Sequence, residues 1–230
     1  MTVLKESDSG ITSIAVLASG RGSNFDALCR ADTGQGRIAL LLTDVPDAPV
    51  LDIAAEYGVE ALYLSPGKYR TRFSIDAEQV WVDTLNERGI GLVCLAGLMR
   101  ILKGPLLESF EGRILNIHPS LLPSFPGLRS QAQALDYGVR ISGCTVHYVD
   151  RGTDTGPVLI QNAIDVLDTD DADSLSARIL EQEHLTYPEA VRLHCGGRLR
   201  INGRHVEILS QNESTTITGD IRGGCRCTGS

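Results

Sequence analysis

The stretch Gly91-Leu92-Val93-Cys94-Leu95-Ala96-Gly97 limits the possible folds more than any other part of this chain. Side chains of a strand alternate between two faces, so a run with no charge at any position needs both faces covered. Such a strand belongs inside a parallel sheet with helices on each side. The rest of the first half agrees. Apolar runs at 14–18, 38–43, 61–64 and 114–118 alternate with helix-compatible segments at 25–28, 50–57, 70–87 and 105–110. That succession predicts an open, Rossmann-like α/β sheet, mostly parallel, in which ligands collect beyond the carboxyl ends of the strands.

Two stretches would then share that rim. Ser19-Gly20-Arg21-Gly22-Ser23-Asn24 follows the first strand and opens a helix. The backbone N–H groups of Gly22, Ser23 and Asn24 can cradle a small phosphate there, with Arg21 close by, or the turn is an ordinary strand-to-helix connection with Ser23 or Asn24 as its cap. It is neither a dinucleotide fingerprint nor a P-loop. Asn116-Ile117-His118, at the end of the fifth strand, places an amide and an imidazole on one side of an apolar run, and Pro119, Pro123 and Pro126 stiffen the segment after it. His118 reads equally well as a catalytic group or as a hydrogen-bonded core histidine. Past a helix at 128–137 and a strand at 144–149, the loop 150–157 carries Asp150 and Asp154. Asp154 is either a turn residue or a carboxylate brought to the rim, where it would orient an imidazolium.

After a strand at 158–161, acidic residues from Asp170 open a long helix that reaches about Leu193, and 198–209 reads as a hairpin turning at Asn202-Gly203. One domain over 13–209 is expected, with a flexible start at 1–12 and a disordered tail at 210–230. A net charge of −8 argues against a broad nucleic-acid surface. The first ten residues lack the apolar core of a signal peptide and no run has the length of a membrane span, so neither membrane nor nucleic acid is an expected partner and the cytoplasm is the expected compartment. Four scattered cysteines fit reduced, packed thiols. Cys225 and Cys227 have no second pair to complete a zinc site, and no metal is expected.

Taken together, Ser19-Gly20-Arg21-Gly22-Ser23-Asn24, 96–102, 116–123, Asp154-Thr155-Gly156-Pro157 and Gln182-Glu183-His184 resemble the phosphoribosylglycinamide formyltransferase family in order and spacing. The resemblance runs from about Ile14 to Leu209. It implies transfer of a formyl group from 10-formyltetrahydrofolate, the co-substrate, to the glycinamide amine of the ribonucleotide, in purine biosynthesis. Asn116, His118 and Asp154 would be catalytic and His147 a supporting, orienting residue. Gly22, Ser23 and Asn24, with Arg72, would hold the substrate phosphate, and Glu183 the sugar hydroxyls. Met99, Arg100, Ile101, Leu102, Val149 and Asp150 would line the folate entrance. A homodimer is compatible with the family. The nearest alternatives are a 10-formyltetrahydrofolate hydrolase, expected to carry an additional N-terminal domain, a methionyl-tRNA formyltransferase, expected to carry a C-terminal tRNA-binding domain, and a binding module that has lost catalysis.

Overall fold

A computed structural model of the chain describes residues 10–210. In chain order its elements are β1 (Thr12–Leu17), α1 (Ser23–Arg30), β2 (Gly36–Thr43), α2 (Val50–Tyr57), β3 (Glu60–Tyr63), α3 (Ile75–Glu87), β4 (Leu92–Leu95), α4 (Pro105–Ser109), β5 (Ile114–His118), α5 (Ser130–Tyr137), β6 (Ile141–Tyr148), β7 (Val158–Asp165), α6 (Ala172–Cys195), β8 (Leu199–Asn202) and β9 (His205–Ile208). The first seven strands form one sheet in the order β3-β2-β1-β4-β5-β6-β7, and β8 and β9 pair as a separate hairpin. β1 to β5 are parallel, whereas β6 runs antiparallel to both neighbours.

Alternation along the strands sorts the core into two layers. Ile14, Val16, Leu92, Cys94, Leu115 and Ile117 face α1, α2 and α6. Ala15, Leu17, Val93, Leu95 and Ile114 face α3 and α4, where Trp81, Leu85 and Leu106 are buried. Each buried side chain of this size contributes roughly 1.5–3 kcal/mol. The run 91–97 therefore sits where its composition demands, in a central strand covered on both faces.

Strand order reverses between β1 and β4, since β2 lies to one side of β1 and β4 to the other. Open α/β sheets bind ligands at the crevice such a reversal creates. The turn after β1, the 97–102 loop after β4 and the end of β5 all reach this rim.

Three helix starts, those of α3, α5 and α6, lie later than the sequence pattern places them. α3 begins at Ile75 instead of residue 70. Thr71 gives its carbonyl to the Ile101 N–H at 3.0 Å and Arg72 forms a parallel bridge with Ile101, so these backbone groups serve the neighbouring loop and not a helical turn. α5 begins at Ser130, because Arg129 has a left-handed backbone (φ 59°) that an α-helix does not admit. α6 starts from a capping box in which the Asp171 carboxylate accepts the Asp173 and Ser174 N–H groups and Ser174 Oγ accepts the Asp171 N–H. All but the first residue of the expected tail at 210–230 and all but the last three residues of the expected flexible start lie outside the described residues, as do Cys225 and Cys227. No helix among the described residues is long and apolar enough to cross a membrane.

Candidate active site

Antiparallel pairing sets Asn116 of β5 directly opposite His147 of β6, and His118 opposite Thr145. The two histidines meet different partners. His147 Nδ1 lies 2.9 Å from the Tyr148 carbonyl, an acceptor, so Nδ1 carries the proton. Its Nε2 is then a lone pair, 3.1 Å from Asn116 Nδ2, and accepts one amide N–H. Burial pushes the His147 pKa down, in agreement with a neutral ring. Asn116 is thereby oriented with its second N–H and its Oδ1 uncommitted to His147.

His118 meets acceptors at both nitrogens. Nε2 is 2.9 Å from the Phe125 carbonyl, and Nδ1 is 3.4 Å from Asp154 Oδ2. Nε2–H donates to the Phe125 carbonyl, and Nδ1 faces the carboxylate at ion-pair distance. Asp154 Oδ2 also accepts the Gly127 N–H at 2.8 Å, while Oδ1 points to His147 Nε2 at 3.8 Å. The carboxylate thus stands between the two imidazoles.

Loop 119–127 is secured from several directions. Thr145 Oγ1 donates to the Ser120 carbonyl and accepts the Leu122 N–H, Gln161 Nε2 donates to the Leu122 carbonyl, Ser130 Oγ donates to the Pro119 carbonyl, and Ser120 Oγ donates to the Ser124 carbonyl. Leu122–Pro123 is a cis peptide. Phe125 and Asp154 are non-glycine residues with positive φ, 54° and 53°. Strained backbone of this kind persists where its surroundings over-determine it. Here it aims the Phe125 carbonyl at His118 and the Asp154 carboxylate at both histidines. Gly156 closes the second loop because a side chain there would meet the Tyr148 carbonyl oxygen at 1.8 Å.

On the other side of the rim, Gly22 adopts φ 83° and packs so closely on Val50 that a Cβ would lie 2.5 Å from Val50 Cγ2. No side chain caps α1. Asn24 Nδ2 instead reaches α6 and donates to Glu183 Oε2 at 2.7 Å. Glu183 is buried, which raises its carboxyl pKa against the opposing effect of the Asn24 N–H. Asn24 Oδ1 is buried without a hydrogen-bond partner among the described residues.

Some expected site residues are placed differently from others. Met99 and Ile101 are exposed and Leu102 is buried. Arg100 commits its guanidinium to Asp44 and to the Tyr69 and Arg70 carbonyls. Arg72 bridges Ile101 and stacks its guanidinium over Tyr69, 4.0 Å from the ring centre, so it joins the 97–102 loop. Val149 packs against the α3 and α4 layer, and its N–H donates to the Ile114 carbonyl. Asp150 ties its own loop by accepting the Gly152 N–H and the Thr155 hydroxyl. The sequence reading gave no individual role to Ser19, Asp44, Phe125, Thr145 or Gln161. Of these only Ser19 and Asp44 carried a signal, as polar residues at the carboxyl ends of β1 and β2. Among the described residues no group of three or more His, Cys, Asp or Glu could hold a metal ion.

With this geometry in view, comparison with known proteins is decisive. Residues 12–191 match the formyl transferase family. The chain belongs to the formyl transferase family. It is 39% identical over 181 residues to the phosphoribosylglycinamide formyltransferase of Bacillus subtilis (strain 168), a match covering 77% of this chain and 92% of that one. It is 42% identical over 194 residues to the trifunctional purine biosynthetic protein adenosine-3 of Drosophila melanogaster, covering 82% of this chain but only 14% of that longer protein. Among solved formyl transferases, glycinamide ribonucleotide transformylase 1 from Symbiobacterium toebii superposes with a TM-score of 0.83 at 45% identity, covering 91% of this chain and 100% of that one. A formyltetrahydrofolate deformylase from Pseudomonas syringae pv. tomato shares the fold at 21% identity and a TM-score of 0.78, covering 87% of this chain and 66% of that one.

Proposed function

We propose that this formyl transferase moves the formyl group of 10-formyltetrahydrofolate to the glycinamide amine of 5'-phosphoribosylglycinamide, in purine biosynthesis, by direct attack through a tetrahedral intermediate. The observation that carries the reading is the Asn116, His118, Asp154 and His147 cluster on the rim of a chain that matches bacterial phosphoribosylglycinamide formyltransferases over nearly their whole length.

The uncapped start of α1 offers N–H groups of Ser23 and Asn24 to the substrate phosphate, where the helix dipole also favours an anion. Arg72 lies against Ile101 and so serves the folate loop more readily than that phosphate. Glu183 and the unpartnered Asn24 Oδ1 supply acceptors for sugar hydroxyls. The folate lies along residues 99–102 and the loop at Val149 and Asp150, read by backbone groups.

Attack by the uncharged amine places negative charge on the formyl oxygen. Asn116, held by His147, directs its remaining N–H to that oxygen. The His118 imidazolium stabilises the same charge, and donates to it directly once its contact with the Phe125 carbonyl opens. Asp154 keeps His118 oriented, and its Oδ1, which takes no backbone N–H, receives the amine proton, directly or through water, for return to the departing folate nitrogen. The protein acts in the cytoplasm, as a monomer or as a homodimer.

The test is to follow deformylation of 10-formyltetrahydrofolate with and without glycinamide ribonucleotide. Formyl transfer that requires the ribonucleotide is the expected result. Equal loss without it assigns hydrolysis, and no reaction assigns a binding module.

A further inference from the structure

Asp44, the residue after β2, has a side chain only 2% exposed and divides its two oxygens between two loops. Oδ1 accepts from Ser19 Oγ at 2.6 Å, and Ser19 Oγ accepts the Met99 N–H at 2.9 Å. Oδ2 accepts from Arg100 Nε at 2.6 Å, and Nη1 of the same guanidinium donates to the carbonyls of Tyr69 and Arg70. One carboxylate thereby joins the 99–101 loop to the end of β1 and, through Arg100, to residues 69–72. The seam continues in the bond from the Ile101 N–H to the Thr71 carbonyl.

The turn at Gly22 has separate support. The Val50 N–H donates to the Gly20 carbonyl, the Ala18 N–H to the Leu42 carbonyl and the Ser19 N–H to the Gly97 carbonyl, and Gly22 packs on Val50. Loss of the Asp44 carboxylate would leave these bonds intact. It would instead leave the Arg100 guanidinium, nearly out of water, without its counter-charge, a strongly unfavourable state that the side chain escapes by turning outward and releasing the Tyr69 and Arg70 carbonyls.

We propose that Asp44 is a positioning residue for the formyl-donor loop, holding residues 99–101 and 69–72 together through Arg100 and so setting the affinity for the folate but not the rate of formyl transfer. The inference rests on the function proposed above and concerns a residue that touches neither the reacting atoms nor Gly22, Ser23 and Asn24, and that meets the ribonucleotide stretch only at Ser19.

The experiment varies 10-formyltetrahydrofolate and glycinamide ribonucleotide separately with the full chain, Asp44→Asn and Ser19→Ala, alongside thermal melting and calorimetric titration with tetrahydrofolate. For Asp44→Asn the expected result is a rise of about tenfold in the folate KM, the scale of one lost charge-assisted contact, with kcat and the ribonucleotide KM within about twofold and a lowered melting temperature, as loss of one partner of a buried ion pair requires. Ser19→Ala should raise the same KM less, since it spares the Arg100 pair. An unchanged folate KM, a fall in kcat at constant KM, or a rise in both KM values overturns the proposal. If the unmodified chain turns over neither substrate, the proposed function fails by itself. The titration then still decides: weaker tetrahydrofolate binding by Asp44→Asn supports the positioning role, and equal binding or none overturns it.

Discussion

Strands β1 to β5 run the same way and present only their carboxyl ends to the rim, whereas β6 runs back along β5 and lays its side chains beside those of its neighbour. Asn116 shows the contrast within one residue. Its partner on the parallel side is Leu95, and its partner on the antiparallel side is His147. One flank of the amide is therefore dry, and the other supplies a hydrogen-bond acceptor of defined tautomer. Parallel strands deliver single groups through their loops, each of which can vary alone. The antiparallel edge fixes groups against one another in register, which suits atoms that must be aligned to a fraction of an ångström.

The strongest way to break this comparison is Asn116→Ala. Removal of one oxyanion donor should lower kcat by about 10²–10³-fold in the two-substrate assay. Near-normal turnover would show that the end of β5 has no such role.

A second prediction concerns the opposite face of β6, where the Tyr148 hydroxyl lies 2.9 Å from His194 Nδ1. Burial, with the Arg113 charge adding to it, lowers the His194 pKa to about 4 from an ordinary 6.5. The unfolded chain then binds more protons than the folded one between those values. Stability is complete above about pH 6.5 and is lost as the pH falls toward 4, by up to about 3 kcal/mol. Urea unfolding from pH 7.5 to 4.5 should show His194→Gln with a flatter profile than the unmodified chain. Groups shared by both proteins, including Glu78 and Glu183, which titrate with the opposite sign, cancel in the difference. Parallel profiles would remove His194 from the account.

Third, His147→Leu should lower kcat by about tenfold while leaving both KM values near their original level, because Asn116 remains but loses its orientation. The buried His147 already favours its neutral form, so the pH dependence of the residual activity should not move with this substitution. A change in either KM would mean that β6 shapes the pocket and not the donor.

Of the fold, the parallel half was legible in the residues because a strand buried on two faces has a composition that few other elements share. Residues 91–97 and 14–18 illustrate this, and the glycine stop after Tyr57 marked α2 to the residue. The start of α3 was not legible, since residues 70–74 are helix-compatible locally and are drawn away by pairing with Ile101. Of the candidate site, Asn116, His118 and Asp154 stood out as polar groups in apolar or turn-rich surroundings. The Phe125 carbonyl and Gly127 N–H did not, because any residue supplies such groups and only the backbone path decides where they point.

Composition and periodicity by themselves determined the layered α/β architecture and which carboxyl ends form the rim, since burial on two faces and alternation on strands are local properties of the chain. Tertiary structure alone decided the chemistry of the two histidines. Both are imidazoles on strands, but one faces a carbonyl and a carboxylate and the other a carbonyl and an amide. Asn116 reaches His147 and Asp154 reaches His118 from segments distant in sequence, so no local pattern shows these pairings.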